Sequence, residues 1–261
     1  MGRAQIKITD RHPDLAVELF DHVAVVEIRR APNNYFDVGL LSGLADIYEQ
    51  LASEARCRAI VLAAEGKAFC AGTDHGKDEA KGVVSQVSRQ AIRLFCSELP
   101  VVAAVHGPAT GGGLGLALSA DFRVTCPEAR FWPNFSLLGL HAGFGLTLTL
   151  PRLVGEQKAA MLLYTGRRVG GDEAVSLGLV DACVSQAEVR GHALELAQQI
   201  AGASPLAVRS MRHSLRRGLV DLLEVTMERE LLEQTMLRQS DDFREGVQAM
   251  ADRRPPSFKG R

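Results

Sequence analysis

The sequence predicts an α/β fold, in which buried strands alternate with helices over about the first 200 residues and helices fill the remainder. Two apolar runs, 58–64 and 101–105, have the near-continuous hydrophobic character of strands that are covered on both faces. A glycine-containing turn and a helical pattern follow each run, which is the order of right-handed crossover connections. We therefore predict a core over residues 1–200 and a C-terminal helical region over residues 201–261.

The other elements follow from local patterns, taken in chain order. Residues 15–28 alternate between apolar and polar in the manner of two short strands joined by a turn. Asp37 is a predicted N-cap, and apolar residues recur after it at helical spacing. A second helix is predicted over about 81–97 and a third buried strand over 121–126. The apolar stripes of the C-terminal helices need a partner surface, either the core or another subunit.

Composition limits the functional classes. The chain has 261 residues, of which 46% are hydrophobic and 23% charged, as in an ordinary globular protein. Its net charge of −1 provides no overall field toward nucleic acid or an anionic membrane, so neither is a predicted partner. No apolar run of about 18 residues occurs, and the N-terminus is charged where a signal peptide needs an apolar core. These features predict a cytoplasmic protein.

Cysteine and histidine spacing predicts neither disulfides nor a metal site. The five cysteines include no C-x-x-C pair, and each lies in an apolar run, which favours buried free thiols in a reducing compartment. The seven histidines contain no H-x-x-x-H or H-E-x-x-H spacing. We therefore expect no bound metal.

The glycine-rich stretch GGGLG, residues 111–115, lies between a predicted strand and a predicted helix. A dinucleotide fingerprint does not fit, because Leu116 or Leu118 stands at the position of its third glycine. The chain also contains no mononucleotide phosphate loop and no G-x-S-x-G nucleophile elbow. A helix N-terminus with unhindered amides remains, and such a site suits an oxyanion whose charge develops during a reaction.

A second turn, residues 65–75, follows the strand 58–64 just as the glycine-rich stretch follows the strand 101–105. Because the carboxyl ends of neighbouring parallel strands meet at one edge of a sheet, we expect both turns at the same edge. Two backbone amides, one from each turn, would then converge on one oxygen atom.

Five segments occur in the order typical of one family, and together they cover nearly the whole chain. They read GKAFCAGTD, AAVHGPATGGGLGLALSADFRV, RFWPNFSLLGL, LVGEQKAAMLLYTGRRVGGDEAVSLGLVD and DDFREGVQAMADRRPPSFKGR. On these segments the chain resembles the crotonase (enoyl-CoA hydratase/isomerase) superfamily. The resemblance implies a spiral of β-β-α turns and a C-terminal helical region that packs trimers, commonly paired into hexamers. It also implies an acyl-CoA thioester as substrate, with coenzyme A as part of that substrate and no separate cofactor.

The resemblance further implies that the amides of Thr73 and Gly112 hold the thioester oxygen as it becomes an enolate or a tetrahedral oxyanion. The two glutamates with which the family's hydratases add water correspond to Gly115 and Phe135, and neither residue can move a proton. The aspartate nucleophile of the family's chlorobenzoyl-CoA dehalogenases corresponds to Gly143. The oxyanion donors are therefore present where the usual reactive side chains are not.

His141 is the leading candidate for a replacement acid or base. It lies in the segment that lines the acyl pocket in this family, and imidazole titrates near neutral pH. The alternative is a histidine that hydrogen-bonds a loop carbonyl. Asp74 follows the oxyanion donor directly, and capping of the next turn is the alternative to its role at the substrate.

The resemblance places coenzyme A beside the turn 29–34 and beside the C-terminal tail of a neighbouring subunit. The predicted substrate-binding residues are Arg30, Pro32, Asn34, Ala71, Asp74, His75, Gly111, Gly115, Asn134, Phe135, Leu140, Phe258 and Lys259. For the basic tail, a solvated end is the alternative.

The predicted function is that of an acyl-CoA enzyme which stabilises a thioester enolate or oxyanion. Several alternatives on the same fold stay open: isomerisation, decarboxylation, and hydrolysis of a thioester or a β-diketone. A protein that binds acyl-CoA without catalysis is the non-enzymatic alternative.

Overall fold

The computed structural model describes residues 3–5, 12–74 and 83–261, and it confirms the predicted α/β class. The strands are β1 (Arg3–Gln5), β2 (Leu15–Phe20), β3 (Val23–Ile28), β4 (Ala59–Ala64), β5 (Val101–Val105), β6 (Ala109–Thr110), β7 (Phe122–Thr125), β8 (Arg130–Trp132), β9 (Val169–Gly170) and β10 (Ala182–Cys183). The helices are α1 (Val38–Ser53), α2 (Val83–Phe95), α3 (Gly112–Ser119), α4 (Leu146–Val154), α5 (Glu156–Thr165), α6 (Gly171–Leu177), α7 (Val189–Ala201), α8 (Pro205–Leu215), α9 (Leu219–Leu237) and α10 (Asp241–Ala251). Short 3-10 helices lie at Asn134–Leu138 and Gln186–Glu188.

The main sheet has the strand order β1-β2-β3-β4-β5-β7-β10. Strands β2 and β3 form the predicted antiparallel hairpin, whereas β3, β4, β5, β7 and β10 pair in parallel. Strand β5 is buried throughout and β4 nearly so, as their continuous apolar character predicts. Their parallel pairing brings the two following turns to the same edge, which confirms the predicted arrangement.

Helix α1 begins at the predicted cap. Asp37 is extended, and its Oδ1 accepts a hydrogen bond from the Leu40 N–H at 2.8 Å. The helix buries a face that includes Leu44 and Tyr48. Helix α2 packs beside α1.

The C-terminal helices differ in what they cover. Helix α7 packs on strands β3, β4, β5 and β7 and completes the core, while α9 contacts α2 and α4. Helix α8 buries none of its residues. Exposed large apolar side chains of α8 and α9 are Leu206, Met211, Leu215, Leu222, Val225, Leu232 and Met236. A single chain therefore leaves apolar surface uncovered on these two helices.

The five cysteines are free. Cys57, Cys70 and Cys126 are buried as predicted, but the prediction is wrong for Cys96, which is exposed just after α2, and Cys183 is only half-buried. Burial raises the pKa of the Cys70 thiol to about 12, so this thiol stays protonated at neutral pH. Across the described parts of the chain, no helix has both the length and the apolar character needed to cross a membrane.

Candidate active site

Two turns meet at the carboxyl edge of β4 and β5. The Cys70 N–H donates to the Pro108 carbonyl at 3.1 Å, and the Cys70 carbonyl accepts from the Thr110 N–H at 3.0 Å. Gly113 lies against this junction, because a Cβ at its position would stand 2.1 Å from the Cys70 carbonyl oxygen. The first turn and helix α3 can approach so closely only where the helix has no side chain.

Thr73 and Gly112 present unpaired backbone N–H groups at this junction. Within the residues that the structure describes, neither amide donates a hydrogen bond. Gly72 has a φ of +81°, and the position that its Cβ would take lies 3.3 Å from the Gly112 nitrogen. Because Gly112 is the first residue of α3, its amide also carries the positive end of the helix dipole. Such a pair of donors is what a developing oxyanion requires.

Both amides belong to the wall of one cavity, which contains about 780 Å³ of empty space, part of it open to solvent. The lining residues are Phe36, Ala71, Gly72, Thr73, Val87, Ser88, Thr110, Gly111, Gly112, Asn134, Phe135, Leu138, Leu140, Gly143, Phe144, Met227, Glu230, Leu231, Gln234 and Arg238. Many of these side chains are apolar, so the cavity suits a hydrophobic acyl group. Among the described residues of the lining, Glu230 supplies the carboxylate and Arg238 the cation.

The cavity brings together several predicted site residues, namely Ala71, Thr73, Gly111, Gly112, Asn134, Phe135 and Leu140. Asp74 follows them half-buried, and His75 lies outside the described residues. His141 is half-buried and is not part of the lining. Its Nδ1 lies 2.7 Å from the Ala142 carbonyl oxygen, so Nδ1 is the donor and Nε2 carries the lone pair of the neutral ring.

Gly115 is buried beneath the loop that precedes α4 and does not reach the lining. A Cβ at this position would lie 2.6 Å from Phe144 Cβ and 2.8 Å from its Cδ1. The side chain of Phe144 therefore occupies the space into which a residue at position 115 would extend. Sequence reasoning missed Phe144 as a partner of Gly115, because only the folded loop brings them together.

Glu230 is a second residue that sequence reasoning missed. Its Oε2 accepts from the Gly145 N–H at 2.8 Å, and its Oε1 accepts from the Thr147 N–H at 3.0 Å and the Thr147 hydroxyl at 2.6 Å. Burial raises the pKa of this carboxyl, while the hydrogen bonds and the nearby His141 oppose the rise. The available sequence signal was helical spacing, since Met227, Glu230 and Gln234 lie on one face of α9.

The turn 29–34 is held by its own polar groups. The buried amide of Asn34 donates from Nδ2 to the carbonyls of Glu65 and Ala68 at 2.7 Å, and its Oδ1 accepts from the Arg30 N–H at 3.0 Å. The Arg30 guanidinium contacts Asp14 at 2.7 Å and Asp37 at 2.8 Å. Asn34 and Arg30 thus shape the turn, and the exposed Pro32 follows a cis peptide bond within it.

The C-terminal tail folds back onto α10. The Asp242 carboxylate accepts from the Lys259 N–H at 2.6 Å and from the Gly260 N–H at 2.8 Å. Phe258 is 40% exposed, and Lys259 is exposed beside it. The tail is therefore ordered by backbone hydrogen bonds that leave both of these side chains accessible.

The parallel sheet and the cavity at its carboxyl edge, with the amides of Thr73 and Gly112 in its wall, can be compared with known proteins. The family model for enoyl-CoA hydratase/isomerase matches residues 19–261. A probable enoyl-CoA hydratase of Bacillus subtilis (strain 168) is 33% identical over 254 residues, covering 94% of this chain and 98% of the relative. The (E)-benzylidenesuccinyl-CoA hydratase of Thauera aromatica is 31% identical over 253 residues, covering 94% and 99%.

The crystal structure of an enoyl-CoA hydratase/isomerase from Pseudoalteromonas atlantica T6c superposes with a TM-score of 0.85 at 30% identity, covering 94% of this chain and 100% of that one. The chain therefore belongs to the enoyl-CoA hydratase/isomerase family and has the crotonase fold. This confirms the resemblance drawn from the five sequence segments.

Proposed function

We propose that this protein acts on an acyl-CoA thioester and holds the thioester oxygen between the N–H groups of Thr73 and Gly112 while negative charge develops there. The observation that carries the proposal is that the amides of Thr73 and Gly112 donate no hydrogen bond among the described residues and belong to the wall of one cavity. Gly112 is also the first residue of α3. In water-excluded surroundings, preorganised donors of this kind stabilise the transition state more than the ground state. Binding without catalysis would not need them.

The reaction that fits best forms an enolate without adding water. Hydration in this family relies on two glutamates, and Gly115 and Phe135 stand at the corresponding positions. Phe135 lies on the cavity wall, so that wall is apolar at the point where an acid or base would act. Isomerisation and decarboxylation both pass through a stabilised enolate, whereas hydrolysis passes through a tetrahedral oxyanion.

His141 remains our proposed acid or base, with Nε2 as the reactive nitrogen. Its Nδ1 is engaged by the Ala142 carbonyl, which defines the tautomer of the neutral ring. Reaching the substrate from outside the described lining requires a small shift of the loop or an intervening water molecule. The oxygens of Glu230 already accept hydrogen bonds from Gly145 and Thr147, which favours a structural role for that carboxylate.

Incubation of a panel of CoA thioesters with the protein in heavy water tests the proposal. We expect deuterium at the carbon beside the thioester, detected by mass spectrometry, because an enolate exchanges that proton. His141→Ala should slow the exchange roughly 10²–10⁴-fold, the usual contribution of a positioned acid or base, while CoA affinity is retained. Unchanged exchange in this variant would remove the role of His141.

Other outcomes of the same experiment select the alternatives. Release of free CoA without exchange would support hydrolysis. Tight binding with neither exchange nor turnover would support a non-catalytic acyl-CoA-binding protein.

We also propose that the protein is cytoplasmic, and its free cysteines fit such a reducing compartment.

We also propose that the chain assembles into trimers, or hexamers built from them, through the apolar surface of α8 and α9. Leu206 and Leu215 on α8 are about 80% exposed in a single chain, which favours burial against another copy. Light scattering is expected to give three or six times the chain mass of 28.2 kDa. Leu215→Asp should lower that mass with an unchanged circular dichroism spectrum, and a monomeric parent protein would contradict the proposal.

A further inference from the structure

Phe144 has a backbone conformation that residues with side chains rarely adopt. Its φ is +61°, and it stands between Gly143 and Gly145 in the loop before α4. Left-handed conformations of bulky residues are unfavourable and persist only where the surroundings impose them, most often at functional sites. The contacts of Phe144 therefore bear on which acyl groups the cavity accepts.

The aromatic ring of Phe144 lies beside Gly112, one of the two proposed oxyanion donors. A Cβ at Gly112 would stand 3.7 Å from Cδ2 of this ring. The ring packs against Phe36 with centroids 5.5 Å apart and against Phe95 with centroids 6.4 Å apart. Phe144 lines the cavity, so its ring forms an aromatic part of the cavity wall that also fills the space next to Gly115.

Helix α9 holds the loop on both sides of Phe144. On one side, Glu230 accepts the Gly145 N–H at 2.8 Å. On the other side, the Gln234 side chain donates from Nε2 to the His141 carbonyl at 2.9 Å. A Cβ at Gly143 would lie 2.6 Å from that Nε2, so the loop is in close contact with the helix. Two polar side chains one turn apart thus hold the strained residue in place.

We propose that Phe144 is a specificity-determining residue and that Glu230 is the residue that positions Phe144. The Phe144 ring admits acyl groups that are unbranched and apolar beside the thioester. It also keeps water from the side of the acyl group that the ring faces. The inference rests on the proposed function, since it concerns the acyl end of a CoA thioester. Bulk at the carbon next to the carbonyl would meet the ring, whereas a straight chain passes along it. The wall also occupies the side on which a glutamate at position 115 would hold a water molecule.

Phe144→Ala tests the first half of the proposal. The affinities of butanoyl-CoA and of the branched 2-methylpropanoyl-CoA are measured by calorimetry in the full-length protein, with CoA alone as the reference ligand. The variant should raise the affinity for the branched thioester relative to the straight one by roughly 10-fold, the scale of one methyl group in an apolar pocket. Phe122→Ala is the matched control, because Phe122 is 37% exposed on strand β7 outside this cavity and its loss should leave the ratio unchanged.

Glu230→Gln tests the second half. One amide oxygen remains, but the new NH₂ group faces an N–H or hydroxyl donor, so the hold on the loop is lost while the side chain keeps its size. The ratio of affinities should move in the same direction as in Phe144→Ala, which a merely stabilising residue would not cause. Glu233→Gln is its control, since Glu233 pairs with Arg229 on the same helix and does not line the cavity.

The outcomes separate this inference from the proposed function. If neither thioester binds the parent protein more tightly than CoA, the proposed function fails. If both bind but the ratio stays unchanged in Phe144→Ala, only the specificity role is overturned. Should that variant not fold, Phe144→Leu serves instead, because it keeps apolar volume but removes the flat ring. An unchanged ratio in a folded Glu230→Gln would overturn the positioning role.

Discussion

Replacing Gly112 by proline is expected to lower turnover of a CoA thioester by roughly 10²–10³, the usual effect of removing one oxyanion donor. Proline lacks the N–H group, yet it is well tolerated at the first position of a helix, which is where Gly112 lies. The rate of deuterium exchange measures the loss. Affinity for CoA itself should change little, because the amide acts on the charge that develops in the transition state.

Gly112→Ala is the matched control for this substitution. Either replacement adds a Cβ that would meet Phe36, 2.6 Å from its Cζ, so both variants share this contact. Only the proline variant loses the amide proton. Equal rates in the two variants would contradict the assignment of Gly112 as a donor, whatever their common loss relative to the parent protein.

Restoring glutamates at positions 115 and 135 is expected to fail unless Phe144 is also reduced in size. In Gly115→Glu, the new Cβ would stand 2.6 Å from Phe144 Cβ, and overpacking of this kind usually costs about 1–3 kcal/mol of the free energy of unfolding. A carboxylate forced among buried aromatic rings adds to that cost. The Gly115→Glu, Phe135→Glu double variant should therefore unfold at a markedly lower urea concentration than the parent protein.

Adding Phe144→Ala to the double variant removes Cγ and Cδ1 of the ring, each 2.8 Å from the new Cβ, and leaves the Cβ contact in place. It should therefore recover part of the lost stability and open space for a water molecule between the two carboxylates. Hydration of crotonyl-CoA, followed by loss of the absorbance of its conjugated double bond, is the readout. Phe144→Ala alone is the control, since it opens the wall without supplying an acid or base. A double variant that is as stable as the parent would contradict the steric account of Gly115 and Phe144.

Short-range patterns in the sequence determine much of the fold. Asp37 caps α1 because its side chain can reach an amide three residues on, and the apolar run 59–64 forms a strand because it is covered on both faces. Gly113 lies where two backbones approach closely, and only glycine, which has no side chain, fits there. These signals also place the turns that contain Thr73 and Gly112 at one edge, since the carboxyl ends of parallel strands meet there. The donor role of the two amides comes from the family resemblance and stays a prediction.

The part of the cavity beside Phe144 depends on contacts that no local pattern contains. Glu230 is 85 residues from Gly145, and its role follows only from the way α9 folds back over the loop before α4. The absence of a glutamate at position 115 is visible in the sequence. That the Phe144 side chain fills the space beside Gly115 is not, because it depends on a left-handed backbone conformation and on packing against two further rings. The sequence by itself therefore determined the α/β class, the start of α1 and the shared edge at which the two turns meet. Tertiary structure decided which side chains line the cavity, because its wall is assembled from segments that are distant along the chain.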